Sequence, residues 1–294
     1  MSLRIGTRGS ALALAQTNKV VGMLADRGIE TEVVTITTEG DTATGVPLHA
    51  IGGQGVFVRA LDDAILKGEI DAAVHSMKDI PAARPAGLAC SAVLKRDSPA
   101  DFLAHDLPLD AVRVVGSSST RRRAQLLRYD PSLEVKQLRG NVDTRIRKLR
   151  EGQYDAIVLA EAGLERLGLS LPGEALPLDQ FVPSPNQGTV AVVCRDDPDI
   201  AGVFEALDHA PTRLDVMIER AVMEEVGGGC FTPQGIYCRG GDLIAEVLAL
   251  DGSRRERIEQ HVATPEEARA CGRALRGKAA DLIREAYAAL GLRS

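Results

Sequence analysis

The 294-residue chain contains no tryptophan and only 3% aromatic residues, too few for the stacking platforms that hold single-stranded nucleic acid. Its five cysteines, Cys90, Cys194, Cys230, Cys238 and Cys271, form no C-x-x-C pair and leave an odd one. A disulfide framework and a zinc site are both unsupported, and reduced thiols in a reducing compartment fit better. The five histidines are scattered, with no pair at the i, i+4 spacing of a helical metal site, so no metal is expected. No apolar run reaches the length of a membrane span. Met1-Ser2 pass directly into strand-like Leu3-Arg4-Ile5 without a basic and then apolar leader, which makes the cytoplasm the expected location and a membrane partner unexpected.

Apolar residues make up 45% of the chain and charged residues 26%, the balance of a soluble globular protein. The length allows two or three domains, each with a core. The net charge of −6 hides an asymmetry. Between Arg113 and Arg150 stand eleven Lys or Arg against three Asp or Glu, a local balance of +8 that leaves −14 for the rest. A concentrated positive segment in an acidic protein points to an anionic ligand held at one place.

Period and turn residues divide the chain into α/β units. Residues 3–7 read as a strand, Arg8-Gly9-Ser10 as a turn, and Ala11, Leu14, Val21, Leu24 and Ala25 as the inner face of a helix. A strand over 31–38, a loop Gly52-Gly53-Gln54-Gly55, a helix marked by Val58, Leu61 and Ile65, and a buried strand over 71–76 follow. The same device returns after Asp97-Ser98-Pro99: a strand at 112–115, a hydroxyl-rich turn, a helix from Thr120, a strand near 133–138, a helix bearing Val142, Ile146 and Leu149, and a strand at 156–159. This is duplicated architecture around largely parallel sheets rather than a sequence repeat. Past Pro183-Ser184-Pro185, a strand at 189–194 and helical sequence to Val226 return toward the first half. Three short strands, near 236, at 243–250 and at 257–262, and one long helix over 265–290 with Pro in its first turn make a small α+β domain, with Cys230 at its entrance. The predicted domains are 1–95 with 189–210, 96–188, and 211–294.

Four features can carry chemistry. Gly6-Thr7-Arg8-Gly9-Ser10 and Gly116-Ser117-Ser118-Ser119-Thr120-Arg121-Arg122 each place hydroxyls and arginine at a helix start, where they either cap the helix or cradle a carboxylate. Arg139 ends a strand, and Arg145 lies about 40° from Leu149 around its helix, half-turned to the core, while Arg147 points away into solvent. Arginine forks suit planar carboxylates. Asp79, in Ser76-Met77-Lys78-Asp79-Ile80-Pro81, is either a solvated turn residue or a carboxylate placed to move protons, with Lys78 as an anion contact beside it. Cys230 follows three glycines: it is either a small buried apolar residue or a thiol that the glycines leave open.

Taken in order, seven segments resemble the hydroxymethylbilane synthase, or porphobilinogen deaminase, family. They are Ile5-Gly6-Thr7-Arg8-Gly9-Ser10, Gly52-Gly53-Gln54-Gly55-Val56-Phe57-Val58, Ala73-Val74-His75-Ser76-Met77-Lys78-Asp79-Ile80-Pro81, the turn from Gly116 to Arg122, Leu138-Arg139-Gly140-Asn141-Val142, Leu159-Ala160-Glu161-Ala162-Gly163-Leu164-Glu165-Arg166-Leu167-Gly168, and Gly228-Gly229-Cys230. The resemblance covers essentially the whole chain. It implies two similar α/β domains like those of periplasmic binding proteins plus a small C-terminal α+β domain. It also implies an enzyme that joins four porphobilinogen molecules head to tail with loss of ammonia and frees hydroxymethylbilane with water. The implied cofactor is a dipyrromethane primer, bound covalently through Cys230. Lys78, Ser76, Ser117, Ser118, Ser119, Arg121 and Arg122 match its binding residues, and Arg8, Ser10, Arg139, Arg145 and Arg166 match substrate-binding ones. Asp79 matches the catalytic aspartate, expected to steady the cation formed as ammonia leaves and to shuttle protons. A monomer with a small-molecule substrate and no nucleic-acid partner is implied. Two positions depart from the pattern: Gln54 stands where many members have lysine, and Pro185-Asn186-Gln187-Gly188 replaces the usual Gly-Gln-Gly ending. A non-catalytic solute receptor shares the two-lobed description but has no use for Cys230 in a third domain.

Overall fold

The computed structural model describes residues 2–38, 55, 58–82, 84–227 and 231–291. The chain divides into two compact units, Met1–Asp97 with Gly188–Arg213, and Ser98–Gln187 with Leu214–Ser294.

The first unit is built on a five-stranded sheet. Strands β1 (Leu3–Thr7), β2 (Thr31–Thr35), β3 (Ala72–Ser76), β4 (Leu88–Val93) and β10 (Val190–Arg195) lie in the order β2-β1-β3-β10-β4. β1 runs parallel to β2 and β3, and β10 runs antiparallel to both β3 and β4. Helices α1 (Ala11–Ala25), α2 (Arg59–Leu66) and α6 (Pro198–Glu205) cover it, and Ile5, Val20, Leu24, Val74, Val192 and Phe204 share one core. Ala and Val in β3 suit a central strand packed on both faces.

The second unit repeats that plan. Strands β5 (Asp101–His105), β6 (Val114–Gly116), β7 (Glu134–Lys136), β8 (Ala156–Ala160) and β9 (Gly173–Ala175) lie in the order β7-β6-β8-β5-β9. β6 is parallel to β7 and β8, and β5 is antiparallel to β8 and β9. Helices α3 (Thr120–Tyr129), α4 (Val142–Arg150) and α5 (Glu161–Leu167) connect the strands. Four of the five strands in each sheet thus run one way, as the sequence indicated. The duplication extends to single atoms. Gly6 opposes Ala73 of β3, and Gly116 opposes Ile157 of β8; a Cβ would stand 2.3 Å from Ile70 Cδ1 at Gly6 and 2.9 Å from Tyr154 Cδ1 at Gly116. Both strands lack a side chain at the point where the connection following them turns over the sheet.

A three-stranded antiparallel meander completes the second unit: β11 (Gln234–Arg239), β12 (Asp242–Leu248) and β13 (Arg255–His261). Ile236, Leu243 and Val247 from it pack with Val222 of α7 (Ala210–Val226) and Leu275 of α8 (Pro265–Lys278).

Two expectations need correction. The inner face of α1 is Ala13, Gln16, Thr17, Val20 and Leu24, not the apolar set beginning at Ala11. Two polar residues can be buried there because both are satisfied: Gln16 Nε2 donates to Ser76 Oγ at 2.8 Å and Thr17 Oγ1 to Ala13 O at 2.9 Å. The C-terminal helix is two helices, α8 ending at Lys278 and α9 (Ala280–Ala289), with Ala279 between them at φ −93°, ψ 11°. The break follows Gly277-Lys278, and the fully buried Ala279 pins it to the core.

Candidate functional site

In the first unit, β1 and β3 are parallel neighbours, so the segments that follow them emerge at the same sheet edge, the edge where open α/β sheets bind ligands. Arg8, half-buried, and Ser10 follow β1. Ser10 caps α1, its side chain accepting from Ala13 N at 3.3 Å. Ser76 ends β3, and Lys78 and Asp79 follow it in a short 3-10 turn, Met77–Asp79. Buried Met77 and Ile80 bracket this turn, and Met77 N donates to Thr189 O at 2.9 Å. With its neighbours anchored inward, Lys78 is half-buried and Asp79 is exposed. Behind the turn, burial pulls His75 down to about 3, with Arg84 and Arg8 adding to the shift, so its ring is neutral. Its Nε2 makes no hydrogen bond among the described residues.

The second unit gathers the cations. β7, β6 and β8 are parallel, which brings Ser117–Ser119, Arg139 and the start of α5 to one edge. Ser118 Oγ donates to Leu138 O at 2.8 Å and accepts from Leu138 N at 3.0 Å, fastening the β6 turn to the one after β7. Ser117 Oγ accepts from Ser119 N at 3.3 Å, and Ser119 caps α3 through Arg122 N at 3.4 Å. Arg139 and Arg166 are half-buried, Arg166 in the last turn of α5.

Arg121 and Arg122 are buried and share one carboxylate that sequence reasoning missed, Asp101 at the start of β5. Arg121 Nη1 donates to Asp101 Oδ2 at 2.7 Å, and Arg122 Nη2 to Oδ1 at 2.7 Å. Gln187 Nε2 also reaches Oδ1, at 2.8 Å. Burial alone would raise the Asp101 carboxyl, but the two guanidiniums overcome it and hold it well below the usual carboxylate range. Burial pulls Arg121 down against the opposing pull of Asp101. The only local signal for Asp101 was an acidic residue opening the apolar run Phe102-Leu103-Ala104.

Arg145 differs. It is half-buried, as helix geometry set out, and Arg147 is exposed. Its Nε donates to Gly140 O at 2.8 Å, but it forms no ion pair with a carboxylate among the described residues. Burial pulls its guanidinium down to about 10, and the like charges of Arg122 and Arg139 add to the shift. An anionic group would relieve that strain.

Cys230, the proposed attachment point, lies outside the described residues, as do Gly52, Gly53 and Gln54 of the glycine-rich loop. Gly227, the last described residue before Cys230, lies in the left-handed region at φ +76°. At the departure noted near 186, Asn186 adopts φ +65°, a conformation that Asn tolerates better than most residues, so the turn survives without glycine. No group of three or more His, Cys, Asp or Glu among the described residues is placed to hold a metal ion, and none of their helices is long and apolar enough to cross a membrane.

Two family profiles match the sequence: "Porphobilinogen deaminase, dipyromethane cofactor binding domain" over residues 3–201, and "Porphobilinogen deaminase, C-terminal domain" over residues 213–281. A Methanosarcina acetivorans relative named "Probable porphobilinogen deaminase" is 53% identical over 88% of this chain and 85% of its own. An Archaeoglobus fulgidus relative of the same name is 45% identical over 94% of this chain and 98% of its own. Among solved structures, the methionine binding protein MetQ is 16% identical, covering 70% of this chain and 89% of that one at a TM-score of 0.44.

Proposed function

Because this chain belongs to the porphobilinogen deaminase, or hydroxymethylbilane synthase, family, we propose that Cys230 tethers its primer, that Asp79 handles the protons, and that the arginines of the second unit hold the carboxylates. The enzyme polymerises four porphobilinogen molecules head to tail with release of ammonia, on a dipyrromethane cofactor, and releases hydroxymethylbilane by hydrolysis for tetrapyrrole biosynthesis.

The observation that carries the assignment is Arg145, a half-buried cation beside Arg122 and Arg139 with no carboxylate of its own among the described residues. Each pyrrole unit bears an acetate and a propionate, so a growing chain presents many carboxylates to such a cluster. When bound, the dipyrromethane supplies a free pyrrole α-carbon as nucleophile. Ser117, Ser118 and Ser119 at the head of α3, with Arg121 and Arg122, would hold its carboxylates, and Ser76 and Lys78 are assigned to the same cofactor. Arg8, Ser10, Arg139, Arg145 and Arg166 orient porphobilinogen. Asp79, exposed on a turn anchored by buried Met77 and Ile80, accepts a hydrogen bond from the pyrrole N–H, steadies the positive charge that develops as ammonia leaves, and takes the proton released on coupling. The neutral His75 behind the turn adds no competing positive charge. The chain works in the cytoplasm as a monomer, without a nucleic-acid partner, in three domains: 1–95 with 189–210, 96–188, and 211–294.

Intact-mass measurement tests the tether. The wild-type protein is expected to carry a mass increment equal to dipyrromethane, and Cys230→Ser to lose it. An unmodified wild type inert to porphobilinogen would overturn the reading in favour of a binding protein.

A further inference from the structure

Glu246 is a fully buried carboxylate that the chemistry above does not use. It lies on β12, opposite Gly235 of β11 and Arg257 of β13. A charge there is costly unless its oxygens are well partnered. Its Oε1 accepts from Gln125 Nε2 at 2.9 Å, and its Oε2 faces Arg255 Nη1 at 3.4 Å and Arg257 Nη1 at 3.3 Å. Gln125, on α3, uses its other N–H on Val182 O at 2.8 Å, and its Oε1 accepts from Arg121 Nη1 at 2.9 Å.

The orientation of that amide is decided by charge. A carboxylate only accepts and a guanidinium only donates. Between Glu246 and Arg121, Gln125 can therefore face one way: N–H toward Glu246, oxygen toward Arg121. Turned over, it would set oxygen against carboxylate and N–H against guanidinium. The meander is also pressed directly on α3. At Gly252, in the turn between β12 and β13, a Cβ would stand 2.5 Å from Ala124 O and 2.5 Å from Arg128 N; at Gly235 it would stand 2.6 Å from Val182 O. Gln125 thus lies beside two close approaches of the C-terminal sheet, one to its own helix and one to Val182, which it bonds.

We propose that Glu246 is a positioning residue for primer binding: through Gln125 it fixes the guanidinium of Arg121, so that the sheet following Cys230 sets the pose of a carboxylate-holding arginine. This rests on the assignment of Arg121 to the primer.

The test is a double-mutant cycle in the full-length protein. E246Q keeps the shape but removes the charge that draws the Gln125 N–H, so the hold on that amide falls to Val182 O and Arg121 alone. The readouts are the porphobilinogen concentration that half-saturates primer loading, followed by intact mass, and the KM and kcat of the loaded enzyme. E246Q is expected to raise the loading concentration about tenfold, the scale of one misplaced buried hydrogen bond, and R121Q at least as much. The R121Q/E246Q double variant should be no worse than R121Q, because Glu246 acts only through Arg121. Wild-type loading in E246Q alongside impaired R121Q would overturn the role of Glu246, and so would multiplicative effects in the double variant. Wild-type loading in R121Q would overturn the assignment of Arg121 and this proposal with it. Should E246Q fail to fold, Q125L in the same cycle cuts the link without altering charge and decides by the same outcomes.

Discussion

The two five-stranded sheets share strand order, direction and even the glycine near the end of their first strand, yet only the first sets an exposed carboxylate, Asp79, among the cations at that edge. Register makes the comparison residue by residue. Ser76 faces Val190 across β3 and β10, whereas Ala160 faces Asp101 across β8 and β5. In the first unit the edge offers an exposed carboxylate, Asp79, over a neutral buried His75. In the second, the one carboxylate at that register is buried and consumed by Arg121 and Arg122, and Arg145 is left as a cation in need of an anion. A duplicated scaffold has been divided by a handful of side chains into a proton-handling half and an anion-holding half.

The largest expected effect falls on the first half. Asp79→Asn should lower kcat by about a thousandfold, within the range of general acid–base contributions, while intact mass still shows the primer; near-normal turnover would remove the division of labour. Next comes Asp101→Asn, which leaves two buried arginines undercompensated and should cost about 3 kcal/mol in urea unfolding. The pH dependence has a definite sign. The folded-state carboxyl of Asp101 is depressed, so its stabilisation is present above the unfolded value near pH 4 and is lost as pH falls below it. Asp101→Asn should flatten that acid limb.

His75 titrates in a different window. Its folded value, about 3, lies below the ordinary histidine value, so the unfolded chain takes up a proton first and stability falls as pH drops below about 6.5. His75→Leu, which gives β3 the residue that β8 carries at Leu159, should recover up to about 2 kcal/mol of the loss at pH 5, read from urea midpoints across pH 7 to 5. A loss unchanged by the substitution would show that the two halves differ less in buried charge than the structure indicates. The smallest effect belongs to Arg145→Gln, expected to raise KM for porphobilinogen about tenfold with kcat within about threefold, the scale of a single charge-assisted hydrogen bond. An unchanged KM would leave the second half without its open anion site.

What could be read from sequence was what is local. Hydroxyl-rich turns after strands, the bracketed Lys78-Asp79 pair and the half-turned Arg145 all follow from spacing of a few residues. Asp101 was not readable in this way: it lies twenty positions from Arg121, and only the return of β5 beside β8 brings the two together. Gln16 and Thr17 on the inner face of α1 escaped for a related reason, because their burial depends on hydrogen bonds rather than apolarity. The split between α8 and α9 had a visible cue in Gly277, but a continuing apolar period across it concealed the stop.

The order β2-β1-β3-β10-β4 also governs how the chain is made. β10 pairs on both sides, with β3 and with β4, and its residues 190–195 are synthesised about a hundred positions after those of β4. As the chain leaves the ribosome, β3 keeps an open edge and β4 has no neighbour, while the second sheet, whose strands all lie between residues 101 and 175, already has every partner it needs. Of the two five-stranded sheets, the one that begins the sequence is therefore the one completed later. Its waiting strand edges are where a chaperone would have most to protect and where a stalled or truncated chain would aggregate.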